Sequence, residues 1–365
     1  MYFQNKKLLV PPVARAAYSD RMAWLMSEMS RLAYVKFERD DFDFDKLINF
    51  VSGNNNKKLI SEKIQDYIDS VNTPSNDGYD TLKQSLEQAN FELIKIFSNC
   101  GTQAFLAKRD SDKIVVLAFR GTELKDLRDI KADLDAKFYK DEAGVKIHNG
   151  FRKAFSTVEY SIRKSLEGME EYSLYITGHS LGGALAIVAT RALNSDNIGA
   201  CYTFGNPKVG VSEFGDEIKS PIYRVVNAFD IVPSLPFTYL VELVLGILWG
   251  VSMIIPFTFF RNWITRFIKN FRGYEHHGDM RFLTPCVMNF SELRLISNYN
   301  DILRSVRLIQ KAMTDFITLI NDHGIIEYSK KLEAYALKRL AMDDSPELAG
   351  NKKISSSNPA PVISK

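Results

Sequence analysis

The chain is poor in cysteine and lacks the residue spacing of a metal site. Its 365 residues include three cysteines, Cys100, Cys201 and Cys286, which are widely separated and odd in number. This argues against a disulfide framework and is compatible with a reducing compartment. Cysteine and histidine do not recur at the spacing of a zinc site, so the sequence predicts no bound metal.

A strong charge imbalance and a leader pattern are also missing. The formal net charge is +3, which is small for this length, so nothing indicates nucleic acid as a partner. The apolar run near the start, Leu8 to Val10, is too short for a signal peptide and is followed by two prolines. We therefore expect a cytoplasmic or peripherally membrane-associated protein. The hydrophobic content of 45% is ordinary and sufficient for a large core.

A glycine-rich segment carries the clearest motif in the sequence. Between Tyr172 and Ala186, an apolar strand pattern ends at Gly178, and an alanine- and leucine-rich helix pattern begins at Gly182. Ser180 lies between these glycines in the order G-x-S-x-G, which in a strand-turn-helix context is typical of a nucleophile elbow. A passive serine in a glycine-rich turn is the alternative. The neighbouring His179 must point away from the serine, so we expect it to be structural.

Strand and helix patterns alternate through the middle of the chain. Apolar runs predict strands, and amphipathic runs predict the helices that follow them. The strands are expected at 103–108, 113–119, 172–177, 199–204 and 222–227, and the helices at about 14–37, 124–137, 151–167, 182–194 and 212–219. Residues 38–90 are polar and are expected to form peripheral helices and loops. This pattern predicts an α/β fold with a mostly parallel central sheet and helices on both faces.

Chemically useful side chains follow several of these strands. Active sites of parallel sheets lie at the carboxyl ends of the strands, where Thr122, Ser180 and Asp230 are expected. A carboxylate at that edge can orient a histidine and stabilise its imidazolium. A solvated loop aspartate is the alternative interpretation of Asp230.

Five short motifs occur in the order of a known family, over roughly residues 100–330. They are Phe119-Arg120-Gly121-Thr122, Ile147-His148-Asn149-Gly150-Phe151, Thr177 to Ala184, Phe204 to Gly210 and Asn227 to Pro233. On these motifs the chain resembles the class 3 lipases, the fungal-type lipases and their bacterial and plant relatives. The resemblance implies an α/β-hydrolase-type serine esterase without metal or organic cofactor. It also implies an oxyanion hole formed by Thr122 and the backbone amide of Leu181.

Two histidines compete for the role of catalytic base. His276 precedes the last expected strand, 280–283, and a residue before a parallel strand lies at the edge opposite Ser180. His323 follows that strand and resembles the family's late Asp-His element, which carries the base. The order Ser180, Asp230, His323 is also that of α/β-hydrolases. We therefore predict His323 as the base, with His276 as the alternative if the last strand runs antiparallel.

An apolar insertion at about 237–272 departs from the compact members of the family. Its first half is almost wholly apolar, and basic residues from Arg261 to Arg272 alternate with apolar ones in its second half. A single membrane span would separate Asp230 from His323, so the sequence predicts a returning pair of helical segments. These would contact a membrane or cap the acyl pocket. We expect a single domain at 1–342 and a disordered tail at 343–365.

Two functions of different kinds are compatible with these residues. The favoured one is a serine carboxylic ester hydrolase that acts on acylglycerols or as a phospholipase A, with Ser180, His323 and Asp230 as its triad. The alternative is a catalytically weak or inactive relative that senses lipid or binds a partner. The expected partners are a lipid ester substrate and a membrane or lipid interface, whereas the head group and the oligomeric state stay open.

Overall fold

An eight-stranded sheet organises the protein in the computed structural model, which describes residues 1–10, 17–36, 53, 60–61, 77–121, 138–140, 144–236, 273–286 and 290–343. Thr122, the helix expected at 124–137, the insertion at 237–272 and the tail beyond Asp343 lie outside the described residues. The strands of this sheet follow the order β1-β2-β3-β6-β7-β8-β9-β10. They are β1 (Glu92–Asn99), β2 (Thr102–Arg109), β3 (Ile114–Phe119), β6 (Ser173–His179), β7 (Ile198–Phe204), β8 (Ile222–Asn227), β9 (Asp279–Leu283) and β10 (Leu295–Ser297), whereas β4 (Phe138–Lys140) and β5 (Lys146–His148) pair separately.

The five central strands run parallel to one another. The pairs β3–β6, β6–β7, β7–β8 and β8–β9 are all parallel, while β1, β2 and β10 add antiparallel edges. Every residue of β3 and β8 is buried. Continuous burial of this kind is typical of strands covered on both faces. The predicted fold class, a mostly parallel sheet of the α/β-hydrolase type, is therefore confirmed.

Helices cover both faces of the sheet. They are α1 (Asp20–Leu32), α2 (Asp77–Gln88), α3 (Asn149–Leu166), α4 (Leu181–Leu193), α5 (Asp301–Thr314), α6 (Phe316–Asn321) and α7 (Ile325–Asp343). Apolar residues of α1 and α7 form one core with Tyr175, Tyr202 and Val225 of the sheet. Residues of α3 and α4 form the second core with side chains that point from the opposite face, such as Leu174 and Ile176.

The first and last helices are tied together by a buried carboxylate. Glu28 of α1 accepts hydrogen bonds from the Phe3 amide at 2.9 Å and from the Ser329 hydroxyl of α7 at 2.5 Å. Arg31 pairs with the same carboxylate at 2.7 Å. Burial would disfavour an unpaired carboxylate, and these donors and the cation offset that cost. These contacts of Glu28, which we call the clasp, hold α7 against α1. Helix α7 begins two residues after His323.

Several predicted elements differ from those observed. The strands β1 and β10 were not predicted, because most residues of these edge strands are partly or fully exposed and lack a clear apolar alternation. The helix expected at 212–219 is only a 3₁₀ turn, Ser212–Gly215, since Gly215 disfavours continuation. The first helix begins at Asp20 because the Ser19 side chain caps it by accepting from the Met22 amide.

Within the described ranges, no helix combines the length and the apolarity required to cross a bilayer. The expected division into a domain at 1–342 and a tail at 343–365 stays a prediction, because α7 ends at Asp343 and the described residues end there as well.

Candidate active site

Ser180 stands on a strained turn between β6 and α4. Its backbone has φ 57° and ψ −128°, a conformation that few non-glycine residues adopt. The turn closes tightly, because a Cβ atom at Gly178 would lie 2.2 Å from the Gly182 carbonyl oxygen, and one at Gly182 would lie 2.4 Å from the Phe119 carbonyl oxygen. Only glycine fits at these two positions. The turn therefore holds the serine side chain at the carboxyl end of β6, as a nucleophile elbow does.

A chain of hydrogen bonds links the serine to a histidine and an aspartate. The Ser180 Oγ lies 2.9 Å from His323 Nε2, and His323 Nδ1 lies 3.0 Å from both carboxylate oxygens of Asp230. A carboxylate can only accept, so Nδ1 carries the proton, and Nε2 is left to accept from the serine hydroxyl. All three side chains are buried. The arrangement can withdraw a proton from Ser180 and stabilise the resulting imidazolium.

Asp230 is held by donors from three parts of the chain. Its carboxylate accepts from the Val232 amide at 2.9 Å and from the Tyr328 hydroxyl at 2.5 Å, and Arg304 donates to its backbone carbonyl. The Tyr328 hydroxyl in turn accepts from the Asn227 amide at 2.9 Å. Burial, together with the nearby Asp230 charge, holds the pKa of Tyr328 well above its usual value. The tyrosine therefore remains a donor and keeps one carboxylate oxygen oriented.

His179 supports His323 from the neighbouring strand. Its Nε2 donates to the His323 carbonyl oxygen at 2.6 Å, and its Nδ1 accepts from the Tyr34 hydroxyl at 2.8 Å. Burial holds the pKa of His179 well below its usual value, so the ring stays neutral and keeps this pair of hydrogen bonds. The expectation of a structural His179 agrees with these contacts, and the structure adds that its target is the backbone of His323.

Gly205 completes the packing around the aspartate and the histidine. Its φ is +57°, and a Cβ atom there would lie 2.4 Å from Asp230 Oδ2 and 3.1 Å from His323 Nδ1. Any side chain at this position would therefore displace the carboxylate from the imidazole. Gly205 lies in the motif Phe204 to Gly210, one of the five on which the family resemblance rests. The motif alone does not explain why this position must be glycine.

The elements that would hold an oxyanion can be described in part. Leu181 is the first residue of α4, and no described residue accepts a hydrogen bond from its amide. The start of a helix adds a partial positive charge at this point. The other predicted donor, Thr122, lies outside the described residues. Gly121, which precedes it, lies against the elbow, since a Cβ atom there would be 3.3 Å from Ser180 Cβ.

His276 is engaged elsewhere. It precedes β9, and β9 runs parallel to β8, so the topological condition for preferring His323 is met. The His276 Nε2 donates to the Pro233 carbonyl oxygen at 2.6 Å. Burial, with Arg224 and Lys208 nearby, holds its pKa well below the usual histidine value. The structure brings His323, and not His276, to the serine.

Sequence reasoning did not identify the residues that support the three central side chains. Tyr34, Arg304 and Tyr328 each reach the site from helices or segments outside the recognised motifs. The one available signal was the position of Tyr328, five residues after His323 in the late Asp-His element.

Comparison with known proteins identifies the central part of the chain. Residues 116–240 match the family model described as lipase, class 3. Over these residues the chain matches the class 3 lipase family. The matched segment includes Ser180 and Asp230 but ends before His323, so the assignment of His323 rests on the geometry described above.

The curated relatives that the chain resembles include lipases of fungi and plants. It is 34% identical over 165 residues to a lipase of Rhizomucor miehei, which covers 40% of this chain and 45% of the relative. It is 31% identical over 186 residues to triacylglycerol lipase OBL1 of Arabidopsis thaliana, covering 36% of each chain. It is 26% identical over 272 residues to phospholipase A1-Igamma2 of the same plant, covering 59% of this chain and 49% of the relative. The chain thus spans less than half the length of these relatives.

Solved lipase structures resemble the chain over part of their length. The native propeptide complex of the Rhizomucor miehei lipase has a TM-score of 0.44 and 25% identity, and covers 59% of this chain and 62% of that chain. Lipase II from Rhizopus niveus has a TM-score of 0.45 and 21% identity, and covers 66% of this chain and 81% of that chain.

Proposed function

We propose that the protein is a serine carboxylic ester hydrolase that acts on lipid esters. The observation that carries the proposal is the buried hydrogen-bonded chain from Ser180 through His323 to Asp230. The relatives support the substrate class, since they are named as lipases, a triacylglycerol lipase and a phospholipase A1. Both acylglycerols and phospholipids carry the carboxylic ester that this site would cleave.

The proposed reaction proceeds through an acyl-enzyme. The Ser180 Oγ attacks the ester carbonyl carbon while its proton passes to His323 Nε2, and the carbonyl π electrons move to the oxygen. The tetrahedral intermediate then breaks the bond to the alcohol, which leaves with the proton from His323. A water molecule then attacks the acyl carbonyl carbon while its proton passes to His323 Nε2. The second tetrahedral intermediate breaks the bond to the Ser180 Oγ, which takes the proton back from His323, and the carboxylic acid is released. Asp230 stabilises the imidazolium in both halves of the reaction.

The proposed oxyanion hole uses the Leu181 amide and Thr122. The Leu181 amide lies at the start of α4, where the helix partial charge is positive. One donor of this kind contributes on the order of 3 kcal/mol of transition-state stabilisation. Thr122 is proposed as the second donor because it occupies the corresponding position of the family motif, Phe119 to Thr122.

The proposal extends to a lipid interface. The apolar and basic composition of residues 237–272 supports a peripheral contact between this insertion and a membrane. We propose a cytoplasmic protein that attaches to membranes at their surface.

Replacement of the serine tests the catalytic proposal directly. Ser180→Ala should fold normally, as judged by circular dichroism, and lose ester hydrolysis by roughly six orders of magnitude, because the residual rate comes from binding and the oxyanion hole. It should also lose labelling by a fluorophosphonate probe. Near-native hydrolysis by the purified and folded Ser180→Ala variant would contradict the proposal. Native protein that neither hydrolyses lipid esters nor takes the label would favour the inactive, lipid-sensing alternative.

The two candidate histidines provide a matched comparison in the same assay. His323→Ala should reduce hydrolysis about as much as Ser180→Ala, because the members of a triad act as a unit. His276→Ala should reduce it far less, since its ring bonds to Pro233 and not to Ser180. The reverse order of rates would exclude His323 as the base while leaving a serine mechanism possible.

A further inference from the structure

Helix α5 presents its apolar residues to solvent and a charged residue to the protein. Ile302, Val306, Ile309 and Met313 recur at intervals of three and four, so they lie along one face, and their exposed fractions range from 36% to 83%. The opposite face is buried through Arg304 and Leu308. An amphipathic helix at the surface of a globular protein normally has the reverse orientation.

The exposed apolar surface continues past the end of α5 and flanks His323. Ile317 and Ile320 of α6 and Ile326 of α7 are all exposed, although Leu319 between them is fully buried. We define the apolar stripe by its seven members: Ile302, Val306, Ile309, Met313, Ile317, Ile320 and Ile326. Clusters of exposed apolar side chains mark sites of interaction on soluble proteins.

The stripe is attached rigidly to the active site. Arg304, on the buried face of α5, donates to the backbone carbonyl of Asp230 and, at 3.0 Å, to the Ser234 hydroxyl. At the other end, Ile320 and Ile326 each lie three residues from His323. A surface that binds to the stripe therefore has a fixed position relative to the aspartate and the histidine of the site.

The chemistry of the stripe distinguishes a lipid surface from a protein partner. Its members are isoleucine, valine and methionine, whereas centres of protein interfaces favour tryptophan, tyrosine and arginine. Of the basic residues of α5, Arg304 is buried and Lys311 pairs with Asp315 at 3.0 Å. Arg307 is exposed, and its guanidinium lies over the Tyr299 ring at 5.7 Å. An aliphatic face with an exposed arginine beside it is typical of helices that lie in the interface of an anionic membrane.

We infer that the apolar stripe is a docking surface for a lipid bilayer or droplet, and that it sets the orientation in which the Ser180–His323–Asp230 site meets lipid. The inference rests on the proposed function for its consequence in catalysis, but binding itself does not require turnover. It also differs from the proposed contact of residues 237–272, because it assigns a second, separate surface to the described part of the chain.

Vesicle binding by a variant of the stripe tests the inference. The full chain with Ser180→Ala prevents hydrolysis, and sedimentation is measured with vesicles of equal parts phosphatidylcholine and phosphatidylglycerol. Adding I302Q, V306Q, I309Q and M313Q should lower the partition coefficient roughly tenfold or more, because four apolar side chains no longer enter the interface. Glutamine is a good helix former, so α5 should persist.

Two further variants test whether binding depends on the position of the apolar residues and on the charge of Arg307. Y160Q with M342Q removes exposed apolar side chains elsewhere on the surface and should leave binding unchanged. Arg307→Gln should lower binding to the mixed vesicles about fivefold, and should not alter binding to pure phosphatidylcholine. In the catalytically intact chain, the fourfold variant should hydrolyse a short soluble ester at the native rate and an emulsified ester more slowly.

The outcomes distinguish the inference from the proposed function. Native vesicle binding by the fourfold variant would overturn the inference, even if Ser180→Ala abolishes hydrolysis. A native dimer that becomes monomeric in the fourfold variant, with unchanged vesicle binding, would show that a second copy covers the stripe and would also overturn it. Loss of vesicle binding would support the stripe even if the native chain proved inactive towards esters, which would contradict only the proposed function.

Discussion

His179 illustrates how a residue next to Ser180 in sequence supports His323 on the other side of the site. Its side chain cannot reach the Ser180 hydroxyl, yet it donates to the His323 carbonyl oxygen at 2.6 Å. The serine and the histidine are therefore joined twice, once through their side chains and once through the neighbour of the serine. A substitution at His179 would act on His323 through its backbone, so the residue positions the site without touching substrate.

Gly205→Ala should lower hydrolysis more than the addition of one methyl group would suggest. A methyl group there would meet Asp230 Oδ2 and His323 Nδ1, so we expect hydrolysis to fall on the order of 100-fold, as for a displacement of about 1 Å in a catalytic group. Gly101→Ala is the matched control, because Gly101 also has positive φ (+77°) but has no neighbouring atoms within 4 Å of the added carbon. Both variants should lose about 1 kcal/mol of stability from backbone strain, measured by chemical denaturation. Equal activity in the two variants would show that Gly205 is needed only for its positive φ, and not for the space that Asp230 and His323 occupy.

At the residue scale, the sequence supports a prediction where local patterns or chain order carry the information. The elbow around Ser180 could be predicted because its strand, glycines and helix are adjacent in sequence. The preference for His323 followed from chain order, the family resemblance and the expected direction of β9. By contrast, Tyr328 reaches Asp230 across 98 residues, and Tyr34 reaches His179 across 145, so the local sequence does not reveal the partners of these tyrosines.

At the scale of elements, the central parallel strands were predictable and the periphery was not. The strands β3, β6, β7 and β8 are short apolar runs whose neighbours contain glycine, proline or charge, so sequence alone located them to within a few residues. Helix α5 was not predicted, although the period of its apolar residues is clearly helical. That period would also not have shown whether the apolar face of the helix meets the core or solvent. That orientation depends on what the opposite face contacts, which here is the backbone of Asp230 through Arg304.

The insertion at 237–272 supports a prediction at the same scale. Replacement of residues 238–270 by a short Gly-Ser linker should strongly lower sedimentation with anionic vesicles, because the basic and apolar residues of the insertion are removed. Hydrolysis of a short soluble ester should be spared, since Asp230 and His323 lie outside the replaced segment. Substitution of the apolar stripe in this background should lower the remaining binding further. Sedimentation equal to that of the native chain would leave only the interpretation of the insertion as a cap over the acyl pocket.

At the scale of the whole molecule, buried histidines set the response of stability to pH. Burial lowers the pKa of His277 to about 4 and holds those of His179 and His276 well below the usual value of 6.5. Between the folded and unfolded pKa values the unfolded chain binds more protons, so stability is lost as pH falls below about 6.5. The partly buried Asp20 and Asp322 have raised pKa values and act in the opposite direction, but they do so nearer to the ordinary carboxyl range.

Thermal unfolding between pH 7 and pH 5 should therefore show a falling midpoint. His277→Gln removes one of the three titrating groups and should flatten this dependence, since His277 alone accounts for up to about 3 kcal/mol by pH 4. His277 lies against Phe214 and Gly215, away from Ser180, so the same variant should keep its hydrolytic activity at pH 7. A pH dependence that is identical in the native chain and the variant would exclude His277 as a contributor.

The long separation between the partners of the site has a consequence for synthesis of the chain. Ser180 and His323 are 143 residues apart, and the clasp between Glu28 and Ser329 spans 301 residues. A ribosome releases the chain from its N-terminus, so the elbow emerges long before the histidine and before the helix α7 that anchors it. A nascent chain that has released Ser180 but not α7 has a serine without its base. Under the proposed function, lipids near the ribosome are therefore not exposed to hydrolysis by an unfinished chain.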